Sequence, residues 1–374
     1  MPVTLDAPAT PSSTAPPRSA RVAVVRTRPE TVIEDYARLM DLARYRDTLS
    51  RETDTLIKLN LSWTKYFPAC SSEPWQVDGV LSKMLADGFD RKRLIPIENK
   101  TVVTNPREGC RNNRWEPVLE RHQLTFTPLT EVEWQVYQFK SPLLKLNEIF
   151  PDGIQIPKIY PGRQILHLPT VKTHGHAVMT GSVKNSFGGL LREVRHYAHK
   201  YMHEVLVDLL YMQRELHPAV FTVMDGTIAG DGAGPRTMVP RVKNLILAAT
   251  DSVAIDAIAA RLMGFDPMSI PFLRMAHERG LGIADPAQIE IVGDDISAEN
   301  FGFQTRRSLV IWGDQMIRRG FLRPLEHVLL HSPLVVWAPM ASNVYHDFMW
   351  YPTVGQARIR EFMKTEWGAL FRRY

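Results

Sequence analysis

The sequence predicts an α/β protein: a mostly parallel or mixed sheet flanked by helices, with a helical C-terminal extension. Three observations carry this prediction. Short apolar runs alternate with helical patterns from Arg21 to Val292, the signature of βαβ units. Polar residues gather where the apolar runs end, as they do along the ligand edge of an open parallel sheet. From Phe301 onward the pattern turns helical and aromatic, with breaks at Pro333, Pro339 and Pro352.

Taken in order, Arg21 to Val25 is the first expected strand, and Glu30 to Leu49 has helical spacing through Val32, Tyr36, Leu39 and Leu42. A second strand, Thr55 to Leu61, carries Lys58 and Asn60, which share a face because strand side chains alternate. Trp75 to Gly88 reads as a helix closed by its glycine, and Leu94 to Ile97 as a third strand, followed by Glu98, Asn99 and Lys100. Leu124 to Gly162 is irregular. Ile165 to Leu168 has the length of a buried strand and leads into a polar loop, with a long helix expected over Leu190 to Leu216. Ala219 to Met224 is the next strand, Ile228 to Pro235 a glycine-rich loop and Leu245 to Ala249 a short strand. Asp251 is placed to cap an alanine-rich helix that ends at Gly264. Ile270 to Arg279 is a further helix, and Ile289 to Val292 the last strand of the core.

Composition narrows the function. The 374 residues, 44% hydrophobic and 23% charged, supply a large core. The division expected is a disordered Pro/Ala/Ser/Thr-rich tail over 1–20, an α/β core over 21–297 and a basic, aromatic, helical extension over 298–374. The first twenty residues lack the apolar stretch of a secretory leader, and no run is long enough to span a membrane. Cys70 and Cys110 are the only cysteines, too few for a disulfide framework or an iron–sulfur cluster, so a reducing cytoplasm is expected. The net charge of +5 resides in Gln304 to Tyr374, which has ten Arg or Lys against five acids and four of the eight tryptophans. Such a segment suits an anionic surface, a membrane face or acidic partner, and equally a docked extension with buried aromatics. Nucleic-acid binding is not expected, because the rest of the chain is formally neutral and shows no helix-turn-helix or zinc-finger pattern.

The chemistry concentrates between Gln164 and Asp208. Lys172, His174 and His176 alternate on an extended segment and so share a face. His174 and His176 have the spacing of two metal ligands, with Asp225, Asp231, Asp251 or His196 as candidates for a third. Thr180, Lys184 and Asn185 lie in a stretch that precedes a helix, where lysine beside free N–H groups fits phosphate or carboxylate. Asp225 and Asp231 stand in a Gly-rich stretch after a strand. Asp256 is an acid on an alanine-rich face, placed to pair with a site lysine. His196, His199 and His203 align on one helix side, best read as a solvated polar face.

The blocks KLN (58–60), LPTVKTHGH (168–176), TGSVKNSFGG (180–189), MDGTIAGDGAGP (224–235), ATDSVAIDAIAARLMGFDP (249–267) and GLG (280–282) together resemble the family catalogued as domain of unknown function 362, from roughly Arg21 to Ile296. The resemblance implies a bacterial or archaeal cytoplasmic protein of α/β type. Many relatives carry ferredoxin-like cysteine clusters, which implies redox chemistry. This sequence departs from them in having two cysteines, and His176 is atypical.

The function expected is therefore an enzyme for a small anionic substrate bearing phosphate or carboxylate. Lys58, Asn60, Lys172, Thr180 and Asn185 bind the substrate, and His174, Lys184 and Asp225 are catalytic. A divalent metal is placed on His174, His176 and Asp231. The reaction expected is redox, with electrons from a partner protein, or proton transfer at carbon of the racemase or epimerase kind. The alternative is a non-catalytic binding module recruited to a membrane surface or partner enzyme through its basic, aromatic extension.

Overall fold

Along the run Leu245 to Ala249, Leu245, Leu247 and Ala249 join one hydrophobic layer, and Ile246 and Ala248 join a second. The same alternation places Leu56 and Ile165 in the first layer and Ile57 and Leu166 in the second. A sheet apolar on both faces must be covered on both faces, and that requirement positions the helices.

The structure, a computed structural model, describes residues 19–101, 104–191, 198, 200–306, 313, 316 and 343–374. Its strands are β1 (Ala20–Arg26), β2 (Thr55–Lys58), β3 (Leu94–Glu98), β4 (Thr127–Pro128), β5 (Trp134–Tyr137), β6 (Ile154–Pro157), β7 (Gln164–His167), β8 (Thr170–His174), β9 (Val178–Met179), β10 (Val220–Ala233), β11 (Thr237–Ala249) and β12 (Ile289–Gly293). The helices up to residue 278 are α1 (Val32–Leu42), α2 (Tyr45–Thr48), α3 (Pro74–Ala86), α4 (Pro106–Asn112), α5 (Trp115–Arg121), α6 (Leu146–Ile149), α7 (Gly181–Leu190), α8 (Met202–Leu216), α9 (Ser252–Met263) and α10 (Pro271–Glu278).

Among the described residues, ten strands form one mixed sheet in the order β12-β1-β11-β10-β7-β2-β3-β4, with β8 paired to β10 and β9 to β8. β10, β7, β2, β3 and β4 run parallel, whereas β11 is antiparallel to both of its neighbours. Helices α7 to α10 cover the first layer, and α1, α3 and α5 cover the second. The chain leaves β2 through α3 to reach β3 on one side. It leaves β7 through α7 and α8 to reach β10 on the other. Connections that depart in opposite directions from two adjacent parallel strands open a crevice beyond their carboxyl ends. In this chain that position lies beyond Lys58 and His167.

The expected α/β class and its mostly parallel sheet are present, and several local expectations are corrected. The helix expected over Glu30 to Leu49 is two, because Arg44 takes a left-handed conformation between α1 and α2. The irregular stretch contains an antiparallel pair, β5 with β6. The stretch expected as a loop before a helix is itself α7, which starts nine residues earlier than periodicity indicates. The glycine-rich loop after β10 is instead the continuation of that strand, paired with β11 from Gly226 to Ala233. Its glycines permit close approach: a Cβ on Gly230 would collide with Met238, and one on Gly234 with the Thr173 carbonyl. Asp251 caps α9 as expected, accepting from the N–H groups of Val253 (2.8 Å) and Ala254 (3.0 Å). Gly264 closes that helix at φ +98°.

The described C-terminal segment is helical over Val344–Gly355, Gln356–Phe362 and Glu366–Arg373. Phe362, Trp367, Leu370 and Phe371 join the second layer. Trp367 packs 4.9 Å from Trp75, centroid to centroid, and donates to Asn244 Oδ1 at 2.7 Å. His196, His199, Trp312, Trp337 and residues 1–18 of the expected tail lie outside the described residues.

Candidate functional site

The carboxyl ends of β2 and β7 deliver a group of largely buried polar side chains. Lys58, last residue of β2, is 1% exposed, and its ammonium donates to Glu98 Oε1 at 2.7 Å and to the Leu59 carbonyl at 2.6 Å. Glu98, the last residue of β3, also accepts from the N–H of Asn99 at 2.7 Å. Lys58 is thus a buried cation beside a buried carboxylate.

Lys172 of β8 has no carboxylate among its hydrogen-bond partners. It is fully buried, and its three protons go to Thr170 Oγ1 (2.7 Å), the Cys70 carbonyl (2.8 Å) and Asn60 Oδ1. All three partners are neutral oxygens. Burial pulls the Lys172 ammonium down to about 8, against the pull of Cys70, Glu73 and Glu98, and the nearby Lys58 charge acts in the same direction as burial. Glu73, which precedes α3, is also buried. Burial first, and then the neighbouring Asp225, hold its carboxyl well above the usual range.

An amide chain links the two lysines. Asn60 donates to Asn185 Oδ1 at 3.2 Å, and Asn185 donates to the Lys58 carbonyl at 3.2 Å and contacts His167 Nδ1 at 3.3 Å. His167 Nε2 lies 2.6 Å from Gln213 Oε1 of α8, and burial depresses its pKa to about 3. Thr180 sits beside Lys172, with its N–H on the Lys172 carbonyl at 3.0 Å.

The amino end of α7 is not open. Asp256 of α9 accepts from the N–H groups of Ser182 (2.6 Å) and Val183 (3.0 Å), taking the place that the sequence reserves for a ligand anion. Burial nevertheless raises the Asp256 carboxyl to about 8. The expected pairing of Asp256 with a site lysine is replaced by this cap.

Lys58, Asn60, Lys172, Thr180 and Asn185 therefore meet in one cluster, and the remaining candidates lie apart in their bonding. Asp225 is fully buried and accepts from Tyr36 (2.6 Å), Trp75 (3.1 Å) and both the N–H (3.0 Å) and hydroxyl (2.8 Å) of Thr227. Asp231 accepts from the Gln304 N–H at 3.0 Å and lies 3.5 Å from the Arg241 guanidinium. The rings of His174 and His176 are 5.9 Å apart, and His174 Nδ1 accepts from the N–H of His176 (3.1 Å) and of Ala177 (3.3 Å). Among the described residues no three His, Cys, Asp or Glu side chains converge as metal ligands, so His174, His176 and Asp231 do not form a triad. Lys184 is half-buried on α7, its ammonium 5.4 Å from the Phe187 ring centre.

Sequence reasoning did not single out Glu98 or His167 as site residues. His167 carried a readable signal, a titratable side chain inside an apolar run. The role of Glu98 depends on which strands become neighbours. An open cleft of about 500 Å³ lined by Leu85, Phe89, Asp90, Arg91, Lys92 and Gln123 contains none of these residues.

No solved structure matches this chain. A stretch of 130 residues is 29% identical to the thylakoid-associated protein sll1697 of Synechocystis sp. (strain ATCC 27184 / PCC 6803 / Kazusa), covering 34% of this chain and 40% of that protein. The chain thus matches less than half the length of this relative. A family model described as Domain of unknown function (DUF362) matches residues 55–261, from the start of β2 into α9, including every member of the lysine cluster. That is more than half of the sequence, and the chain belongs to this family.

Proposed function

We propose that this chain is an enzyme that holds a small phosphate- or carboxylate-bearing substrate at the crevice beyond β2 and β7, and that Lys172 exchanges a proton with it. The observation that carries the reading is Lys172 itself, a fully buried cation whose partners are all neutral oxygens. A buried charge with no carboxylate bonded to it is costly, and a substrate anion would supply that contact. Its depressed pKa, about 8, keeps both ammonium and amine populated near neutral pH, as proton transfer in either direction requires. Lys58, already beside Glu98, holds the neighbouring position without adding net charge.

Calorimetric titration with acetate and with inorganic phosphate tests this. Wild type binds at least one of them, and Lys172→Met weakens that binding more than about tenfold, the effect of losing a charge-assisted contact. Acetate keeps its charge above pH 6, so its affinity falls as the pH rises through about 8 and Lys172 gives up its proton. Equal affinity in wild type and Lys172→Met would refute the assignment.

A second reading is favoured by a separate observation. Phe348 and Met349 in the Val344–Gly355 helix are 75% and 60% exposed, beside a segment rich in arginine, and the relative is by name thylakoid-associated. Apolar side chains next to basic ones suit an anionic lipid surface. No helix among the described residues is long and apolar enough to cross a membrane, so such contact would be peripheral. Co-sedimentation with phosphatidylglycerol vesicles, lost in the Phe348→Ser/Met349→Ser double variant, is the result this reading expects. Equal sedimentation of both proteins removes it.

A further inference from the structure

Two polar groups at the Lys58–Glu98 pair have hydrogen-bonding capacity that no atom of the described residues uses. Glu98 Oε2 and the Tyr160 hydroxyl are both buried, on residues 3% and 1% exposed, and neither has a partner among the described residues. In native proteins buried polar groups are almost always hydrogen-bonded, to protein or to ordered water.

The local structure brings both groups to the Lys58 side chain. Tyr160 enters from the loop between β6 and β7, and its hydroxyl occupies the space beside Gly189 of α7 that any side chain there would fill. A Cβ on Gly189 would collide with that hydroxyl and would lie 3.1 Å from Lys58 Cε. Asn99 donates to the Gly188 carbonyl at 2.8 Å, fixing this turn of α7 over the end of β3. The Glu98 carboxylate is close enough to act on the Tyr160 phenol by charge. One oxygen of Glu98 is taken by Lys58 and the Asn99 N–H, and the other is left for a donor.

We infer that Glu98 Oε2 and the Tyr160 hydroxyl form a subsite for one hydroxyl group, which donates to the carboxylate and accepts from the phenol. The inference rests on the anion-binding reading and narrows it: the substrate is a hydroxylated anion, its charged group on Lys172 and its hydroxyl between Glu98 and Tyr160. Hydroxyl and water share this chemistry, and the two sources are separable by experiment.

The test is a matched pair of ligands for each kind of anion: acetate against glycolate, and methyl phosphate against 2-hydroxyethyl phosphate. Wild type is expected to prefer the hydroxylated member of at least one pair by about fivefold or more, the range of one net hydrogen bond. In Tyr160→Phe and in Glu98→Gln, two variants of nearly unchanged size, that ratio is expected to fall toward one. A crystal structure with the preferred ligand should place its hydroxyl between the two side chains. Equal affinity within both pairs, a preference that survives in Tyr160→Phe, or a water in that position with the ligand's hydroxyl elsewhere overturns the subsite while leaving anion binding intact. Failure of all four ligands to bind overturns the anion reading and the subsite together.

Discussion

Lys172 keeps its charge where no bulk water reaches it, because three oxygens from Asn60, Cys70 and Thr170 replace its hydration shell. Lys172→Met removes the charge but leaves those acceptors with nothing to accept. The expected cost is about 1–3 kcal/mol in urea unfolding, and a neutral or stabilising result would contradict the described bonding. His167 makes the opposite case, a base kept neutral by burial. Its folded pKa of about 3 lies below the ordinary value of 6.5. Its contribution to stability is therefore fully present above pH 6.5 and is lost as the pH falls toward 3, by about 1.4 kcal/mol per unit. His217, lowered to about 4 by burial, adds to the same trend above that pH. His167→Gln should flatten the dependence of unfolding free energy on pH between 6.5 and 4. An unchanged slope would mean that His167 is not held neutral in the fold.

At the scale of the element, α7 is defined by its first residue. Gly181 has φ +83°, and a Cβ there would strike the Asp256 carboxylate that caps the helix. Gly181→Ala combines left-handed strain with displacement of the cap, and a loss of about 2 kcal/mol or more is expected in thermal unfolding. Since α7 also carries Asn185, weaker acetate binding should accompany it. A fully stable Gly181→Ala protein would show that Asp256 does not hold this helix end. The β10–β11 hairpin follows a related rule. Glycines that read as loop-forming serve there to let the chain pass close to Met238 and to the backbone of β8.

For the whole molecule, the C-terminal segment is part of the second core layer. Tyr66 stacks on Phe371 with centroids 3.8 Å apart, Trp63 donates to Asp347 at 2.5 Å, and the Tyr374 hydroxyl donates to Asp78 at 3.0 Å. Trp367, 2% exposed, joins the segment to α3 and β11. Trp367→Ala should cost about 3–5 kcal/mol, the range for deleting a large buried aromatic. A loss under about 1 kcal/mol in urea unfolding would show the segment to be loosely attached. Trp350 and Trp367, legible in the sequence only as members of a basic, aromatic tail, thus pack against the core. Phe348 and Met349 stay exposed beside this packing.

The sequence by itself determined the α/β class, most strand positions, the Asp251 cap and the stretch in which the lysines and asparagines gather. Those features are local: alternation, capping chemistry and strand ends are written in neighbouring residues. Only the tertiary structure decided which of them meet. That β2 and β7 are adjacent, with connections leaving in opposite directions, is a matter of strand order, and no periodicity encodes it. The same holds for Asp256, 74 residues from Ser182, filling the helix end that local reading left for a ligand. It holds equally for Glu98 and Tyr160 beside Lys58. Which buried charge finds a counter-charge depends on contacts between distant segments, and at Lys172 that dependence separates a satisfied core lysine from a candidate for chemistry.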